Sequence, residues 1–168
     1  MLSDRHLSLR RILTQARTQH QTIVLATVVF DVLHPEHLKF LRAAKKIGEV
    51  LIVGLESDER VARIKGPGRP VHSQLKRQNQ LEKLRIAQAV IVLPSRFDCA
   101  QDHLNFLKQI QPDILAVSAH SPHLAVKKRL MAQIGGRVEI VRQFNPNFSS
   151  TKLIRRSQKQ PNFKSVQS

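Results

Sequence analysis

Five short apolar runs, each separated from the next by a stretch with helical spacing, constrain this chain more than any other feature. Each run is nearly continuous in Val, Ile, Leu and Ala, as expected for strands that are buried on both faces of a sheet. Strands that alternate with helices over short connections are typical of right-handed βαβ units. The sequence therefore predicts an α/β fold, a three-layer sandwich around a five-stranded, mostly parallel sheet. The predicted strands are residues 22–30, 50–55, 89–93, 114–118 and 138–141, and the predicted helices between them are residues 37–47, 73–87, 98–110 and 122–134.

The ends of the chain differ from this alternating middle. Residues 1–20 place Leu7, Ile12 and Ala16 on one side of a helix, which predicts an additional N-terminal amphipathic helix. Residues 158–168 are polar and basic without periodicity, so we expect a flexible tail there. The predicted domain is therefore residues 21–157.

The composition excludes several classes of protein. A chain of 168 residues with 41% hydrophobic residues can bury the core of one domain, and no apolar run reaches the roughly 18 residues that a membrane span needs. The single cysteine, Cys99, cannot form an internal disulfide, which fits a reducing compartment. We expect a cytoplasmic protein with no export leader and no membrane association.

The net charge points to anionic partners. Twenty-eight Lys and Arg residues against twelve Asp and Glu give +16, which favours nucleotides, phosphorylated metabolites or nucleic acid. The chain has no Trp or Tyr and seven Phe, so it supplies few aromatic side chains for stacking on single-stranded bases. Nucleic acid is thus a partner that the charge allows but the composition does not favour.

The turn after the first predicted strand is the strongest candidate site. In sheets of this kind, ligands bind at the carboxyl ends of the strands. His34 and His37 are three residues apart around Pro35, so both can face one spot at the N-terminus of the next helix. There they could bind a phosphate and stabilise the charge that develops during in-line attack at phosphorus. Two other interpretations stay open on spacing alone: a metal such as zinc held with Asp31, or exposed histidines that cap the helix.

Several motifs, in order, resemble those of the cytidylyltransferase-like nucleotidyltransferases. Residues 30–37 are similar to that family's Phe-Asp-x-x-His-x-Gly-His signature, and residues 63–70 resemble the Lys-Gly-x-Gly-Arg-Pro loop of its sugar-phosphate members. Residues 148–154 resemble its closing Ile-Ser-Thr-Thr-x-x-Ile segment. The resemblance covers residues 22–156 and is greatest to the adenylyltransferase part of heptose-phosphate enzymes and to glycerol-3-phosphate cytidylyltransferases.

This resemblance implies a Rossmann-like form of the sandwich and an activity. The chain would transfer AMP or CMP from ATP or CTP to a small phosphorylated acceptor, a sugar or polyol phosphate, with release of pyrophosphate. It also implies Mg²⁺ as cofactor, carried by the triphosphate without protein ligands, and a homodimer. The implied catalytic residues are His34, His37 and Lys46. The implied nucleotide-binding residues are Val29, Phe30, Asp31, Ser149, Ser150 and Thr151, and the implied phosphate or substrate contacts are Lys65 and Arg77.

Two family glycines are replaced in this sequence. Glu36 adds bulk and negative charge beside the expected anion, and Val28 stands where the family turns tightly under the nucleotide. These replacements motivate an alternative hypothesis: a family member that binds a nucleotide or phosphorylated metabolite without chemistry, with nucleic-acid contacts through its basic ends.

Overall fold

The computed structural model describes residues 4–142, with side chains from residue 7 onward. The predicted sites at Ser149, Ser150 and Thr151 and the predicted tail at 158–168 lie outside the described residues. The strands are β1 Ile23–Val28, β2 Val50–Leu55, β3 Ala89–Val92, β4 Ile114–Ser118 and β5 Arg137–Arg142. The helices are α1 Asp4–Thr18, α2 Pro35–Lys45, α3 Asp58–Lys65, α4 Gln74–Lys83, α5 Ala100–Ile110 and α6 Leu124–Gln133.

The five strands form one sheet in the order β3-β2-β1-β4-β5, and every neighbouring pair is parallel. The predicted α/β fold is confirmed, with a sheet that is parallel throughout. β1 lies in the centre, where Val24 pairs with Leu51 of β2 on one side and Ile114 of β4 on the other. The strand order reverses at β1, so the carboxyl ends of β1 and β4 flank the crevice in which such folds bind ligands.

The alternation of side chains along β1 divides the core into two layers. Val24 and Ala26 pack with Leu41 of α2 and Leu81 of α4. Ile23 and Leu25 face the opposite layer, which includes buried residues of α1, α5 and α6. Because α2 and α6 follow β1 and β4, their N-termini lie at the same edge of the sheet but on opposite faces of it.

The structure adds one helix that the sequence analysis did not predict. α3 has eight residues and buries only Val61, so hydrophobic burial contributes little to placing it. Its start is fixed instead by Ser57, whose side-chain oxygen accepts a hydrogen bond from the Arg60 backbone N–H at 3.3 Å. Within residues 4–142, no helix is long and apolar enough to cross a membrane.

Candidate active site

The loop after β1 holds an aromatic side chain against the predicted histidine pair. Phe30 has a φ of 41°, a left-handed conformation that costs a residue with a Cβ roughly 1–2 kcal/mol. In this conformation its ring stacks on the imidazole of His37, with ring centroids 3.9 Å apart. Backbone strain of this kind is concentrated at functional sites. The predicted site residue Phe30 therefore contacts His37 directly.

The structure brings His34 and His37 together at the N-terminus of α2. Their rings stack with centroids 3.5 Å apart, and the His37 backbone N–H donates to the His34 carbonyl at 2.9 Å. His34 is the N-cap residue, but its side chain makes no capping hydrogen bond and is 6% exposed. The geometry therefore argues against the interpretation that these are exposed histidines that cap the helix. Both imidazoles lie at the positive end of the helix dipole.

Both histidines are neutral at pH 7. Burial, together with the nearby His34 and Lys65, lowers the pKa of His37 to about 3 against the opposing effect of Glu36. Burial also lowers the pKa of His34. The Nδ1 atom of each ring is buried without a hydrogen-bond partner among residues 7–142. Paired neutral imidazoles with unused nitrogens are suited to bind a phosphate oxygen through an N–H group.

The lowered pKa of His37 predicts acid destabilisation. Between pH 6.5 and about 3 the unfolded chain binds a proton at this residue and the folded chain does not, so the free energy of unfolding falls as the pH drops through that window. The fall is up to about 1.4 kcal/mol per pH unit. Urea titrations of wild type and His37→Gln at several pH values measure it. The variant should lose less stability on acidification, and identical pH profiles would contradict the assignment.

Asp31 anchors the neighbouring loop rather than facing an open site. Its buried carboxylate pairs with the Arg69 guanidinium and accepts a hydrogen bond from the Val71 backbone N–H at 2.7 Å. Burial acts to raise the pKa of Asp31, but the hydrogen bonds from Arg69, Val71 and His72 hold it below its usual value. Both carboxylate oxygens are engaged, which disfavours the zinc interpretation. Asp31 acts as a positioning residue for the loop that carries Arg69.

Lys65 places positive charge beside the histidine pair, and Arg69 lies near Lys65. Lys65 ends α3 and lies close enough to His37 to lower the pKa of that imidazole. Burial and the nearby Arg69 lower the pKa of Lys65 itself, while Asp31 opposes them. The Nη2 of Arg69 is buried without a hydrogen-bond partner in the described part of the chain, so it has donors for an anion. The structure therefore brings Lys65 to the site, and Arg69 with it.

Arg77 does not contribute a free cation, which corrects its predicted role as a phosphate contact. Its buried guanidinium donates to the carbonyls of His72, Val29 and Glu56 at 3.0, 2.7 and 2.9 Å. It also pairs with Asp58 at 2.8 Å. Arg77 thus ties together the segments that follow β1 and β2. Val29, a predicted nucleotide contact, enters this network through its carbonyl.

Lys46 is not brought to the site, and its predicted catalytic role is corrected. It is the C-cap of α2, nine residues after His37. Nine residues of helix span about 13 Å, and α2 runs away from the carboxyl edge of the sheet. Lys46 therefore lies at the opposite edge of the sheet from the histidine pair.

Glu36 is paired with two cations. Its carboxylate accepts hydrogen bonds from Lys39 at 2.7 Å and from Arg142 of β5 at 2.7 Å. These hydrogen bonds, with Lys39 the larger influence, hold the pKa of Glu36 below its usual value. Its negative charge is therefore balanced locally, and it joins β5 to the first turn of α2.

Residues 25–157 match the family model described as cytidylyltransferase-like. The chain belongs to the cytidylyltransferase-like family. As a member, it is similar to the bifunctional protein HldE of Syntrophotalea carbinolica, with 36% identity over 80% of this chain and 26% of that protein. It is also 36% identical to the bifunctional protein HldE of Campylobacter jejuni strain RM1221 over 85% of this chain and 29% of that protein. The chain thus spans under a third of the length of these relatives.

Two solved structures are similar to this chain. The lipopolysaccharide core biosynthesis protein from Thermoplasma volcanium is 26% identical, with a TM-score of 0.58 over 73% of this chain and 95% of that one. The pantoate-beta-alanine ligase from Francisella tularensis shares the fold, with a TM-score of 0.60 at 14% identity over 95% of this chain and 80% of that one. The family is one of nucleotidyltransferases, so the nucleotidyltransferase class expected from the sequence motifs is confirmed at family level.

Two residues of this cytidylyltransferase-like site were missed by sequence reasoning. Arg69 belongs to the quoted loop motif, and its position depends on its pairing with Asp31, 38 residues away. His72 was not singled out, yet its backbone N–H lies 3.4 Å from Asp31 and its Nδ1 is buried without a partner among the described residues. The signal that could have found both is their position in the loop that follows Lys65.

Proposed function

We propose that this chain transfers a nucleotidyl group from ATP or CTP to the phosphate of a small phosphorylated acceptor. The observation that carries the proposal is the stacked, neutral pair of His34 and His37 at the positive end of α2, beside Lys65 and Arg69. Hydrogen-bond donors and cations that converge on one point suit a phosphorus centre under attack, because phosphoryl chemistry depends mainly on positioning and charge stabilisation.

The proposed reaction needs no base from the protein. An ionised oxygen of the acceptor phosphate attacks the α-phosphorus of the triphosphate, a new P–O bond forms there, and the bond to the β-phosphate oxygen breaks. Pyrophosphate leaves with that bond's electron pair. The N–H groups of His34 and His37 donate to the α-phosphate oxygens as their charge grows. Lys65 and Arg69 balance the charges of the attacking and leaving phosphates.

Mg²⁺ is part of the proposal through the substrate rather than through the protein. Among residues 7–142, no three His, Cys, Asp or Glu side chains lie together to hold a metal ion. Mg²⁺ is commonly held by substrate phosphates with few protein ligands, and the described site fits that mode. We further propose a homodimer in the cytoplasm, as the family resemblance implies.

Calorimetric titration with magnesium-ATP and magnesium-CTP tests the binding step. We expect one triphosphate to bind wild type, and Lys65→Met to weaken that binding about tenfold or more, because a charge-assisted hydrogen bond contributes roughly 1.5–3 kcal/mol. Lys76→Met on α4 is the matched control, since Lys76 is an exposed lysine with no part in the proposed site. Binding of neither triphosphate, or equal weakening in both variants, would contradict the proposal.

A further inference from the structure

The ion pair between Glu36 and Arg142 joins two distant parts of the chain beside the histidine pair. Glu36 is the second residue of α2, between His34 and His37 in the sequence. One of its carboxylate oxygens, Oε2, accepts hydrogen bonds from Arg142 Nη2 at 2.7 Å and from Nε at 3.2 Å, and the other accepts from Lys39. The Arg142 side chain is 32% exposed and that of Lys39 is 54% exposed. The pair with Arg142 is therefore the better shielded from water of the two.

The backbone of β5 fixes where Arg142 lies. Arg142 is the last residue of β5 and pairs in register with Ser118 at the end of β4. Its carbonyl accepts a hydrogen bond from the Ala119 backbone N–H at 2.9 Å. The preceding residue, Val141, packs against the core layer that contains Leu41 of α2. β5 thus brings Arg142 to the carboxyl edge of the sheet, next to the first turn of α2 and to the crevice between β1 and β4.

The pair leaves part of the Arg142 guanidinium available to an anion. A guanidinium has five N–H donors, and within residues 7–142 the hydrogen bonds of this side chain go to Glu36 alone, from Nε and Nη2. A carboxylate that holds one edge of a planar guanidinium fixes the direction of the remaining donors. Lys39, Glu36 and Arg142 together keep one net positive charge. The cluster therefore presents an oriented cation rather than a negative charge.

Arg142 and Lys65 approach the histidine pair from opposite sides. Lys65 ends α3, which follows β2, and it lies near His37. β2 and β5 lie on opposite sides of β1 in the sheet. In-line displacement at phosphorus places the attacking and leaving oxygens on opposite sides of the phosphorus, and in the proposed reaction both belong to charged phosphates. Arg142 adds a cation on the side away from β2.

We propose that Glu36 is a positioning residue that holds Arg142 as a binding residue for the phosphate chain of the triphosphate. This inference rests on the proposed function, because it requires a triphosphate whose α-phosphate lies at His34 and His37. Glu36 replaces a glycine of the family signature, so this role belongs to this chain rather than to the family pattern. Its effect is opposite to the one that its charge alone suggests. Removing the carboxylate weakens triphosphate binding, because releasing Arg142 costs more than removing a like charge gains.

Calorimetric titration of the full chain with magnesium-ATP and magnesium-CTP tests this role in wild type, Glu36→Ala, Arg142→Met and the double variant. We expect Arg142→Met to weaken binding of the preferred triphosphate about tenfold or more, because a charge-assisted hydrogen bond is lost. Glu36→Ala should weaken it about threefold or more, since the guanidinium is no longer oriented. The double variant should bind within about twofold of Arg142→Met, because Glu36 acts through Arg142 and the two losses are not additive.

Three further variants separate positioning from charge and from folding. Glu139→Gln removes a carboxylate from a different ion pair, with Arg137, and Lys39→Met removes the other partner of Glu36. Both should bind triphosphate within about twofold of wild type, because exposed ion pairs contribute little. Glu36→Gln keeps an oxygen that can accept from Arg142, so its affinity should fall between wild type and Glu36→Ala. It decides the matter if Glu36→Ala does not fold, and thermal melting of every variant identifies that case.

The opposite results overturn the positioning role. Tighter triphosphate binding by Glu36→Ala or Glu36→Gln would show that the carboxylate only repels the anion. Unchanged affinity in Arg142→Met, additive losses in the double variant, or equal weakening by Lys39→Met would each contradict a specific contact through Arg142. Wild type that binds triphosphate and gives any of these results overturns this role alone. If wild type binds neither triphosphate, the proposed function fails, and the positioning role fails with it.

Discussion

Replacing His37 by alanine should lower kcat by about 100-fold or more, while the melting temperature changes by only a few degrees. The loss follows from removing one preorganised donor to an oxygen on which charge develops in the transition state, which costs enzymes about 10²–10³ in rate. The measurement is pyrophosphate release at saturating substrates, with melting followed by circular dichroism. His34→Ala should behave in the same way because the two rings form one stacked unit.

Two control variants separate chemistry from folding in this prediction. His123→Ala removes an exposed loop histidine and should leave kcat unchanged. His37→Gln keeps an N–H donor and should retain more activity than His37→Ala. Equal kcat values for wild type, His34→Ala and His37→Ala would show that the pair does not take part in the reaction.

Replacing Arg77 by methionine should destabilise the fold by about 3 kcal/mol or more. The change leaves partly buried carbonyls of three segments and the carboxylate of Asp58 without their donor, and an unsatisfied buried group costs about 1–3 kcal/mol. Urea unfolding measures the difference. Arg77→Lys should recover only part of it, because a single ammonium lacks the planar fork of donors that reaches four acceptors.

The control for Arg77 is its exposed neighbour on the same helix. Lys76→Met should change the free energy of unfolding by less than about 0.5 kcal/mol. If Arg77→Met were as stable as wild type but bound triphosphate more weakly, the guanidinium would be a phosphate contact after all, and the structural network described here would be wrong.

The fold and the centre of the site could be predicted because they depend on local patterns. Continuous apolar strands between helices specify a parallel sheet, and two histidines around Pro35 specify a shared helix N-terminus. The carboxyl end of β1 then follows as the binding edge. Lys65 could also be predicted to lie at this edge, because a glycine-rich loop of the kind that approaches phosphates follows it. For Gly66 and Gly68 the φ values of 88° and 74° explain why glycine is required.

The errors have different physical causes. Whether Arg77 is free depends on carbonyls contributed by distant segments, which no local pattern shows. The carboxylate of Glu36 is paired with Arg142, 106 residues away, and no local pattern shows this pairing. From its charge alone, Glu36 was expected to disfavour an anion at the site. The direction of α2 was available from the sequence: a helix that starts at the edge with the histidine pair must end at the other edge, which places Lys46 away from that pair.

Transfer of radioactive label tests the central claim most directly. The protein is incubated with Mg²⁺, a hydroxylated acceptor phosphate and ATP or CTP carrying ³²P in either the α- or the γ-position. We expect α-label to appear in a new nucleotide-linked acceptor and γ-label to appear only in pyrophosphate. Both products should form at least about 100-fold more slowly in His37→Ala. Bound triphosphate with no transfer in wild type would identify a binding protein, and transfer of γ-label to the acceptor would contradict nucleotidyl transfer outright.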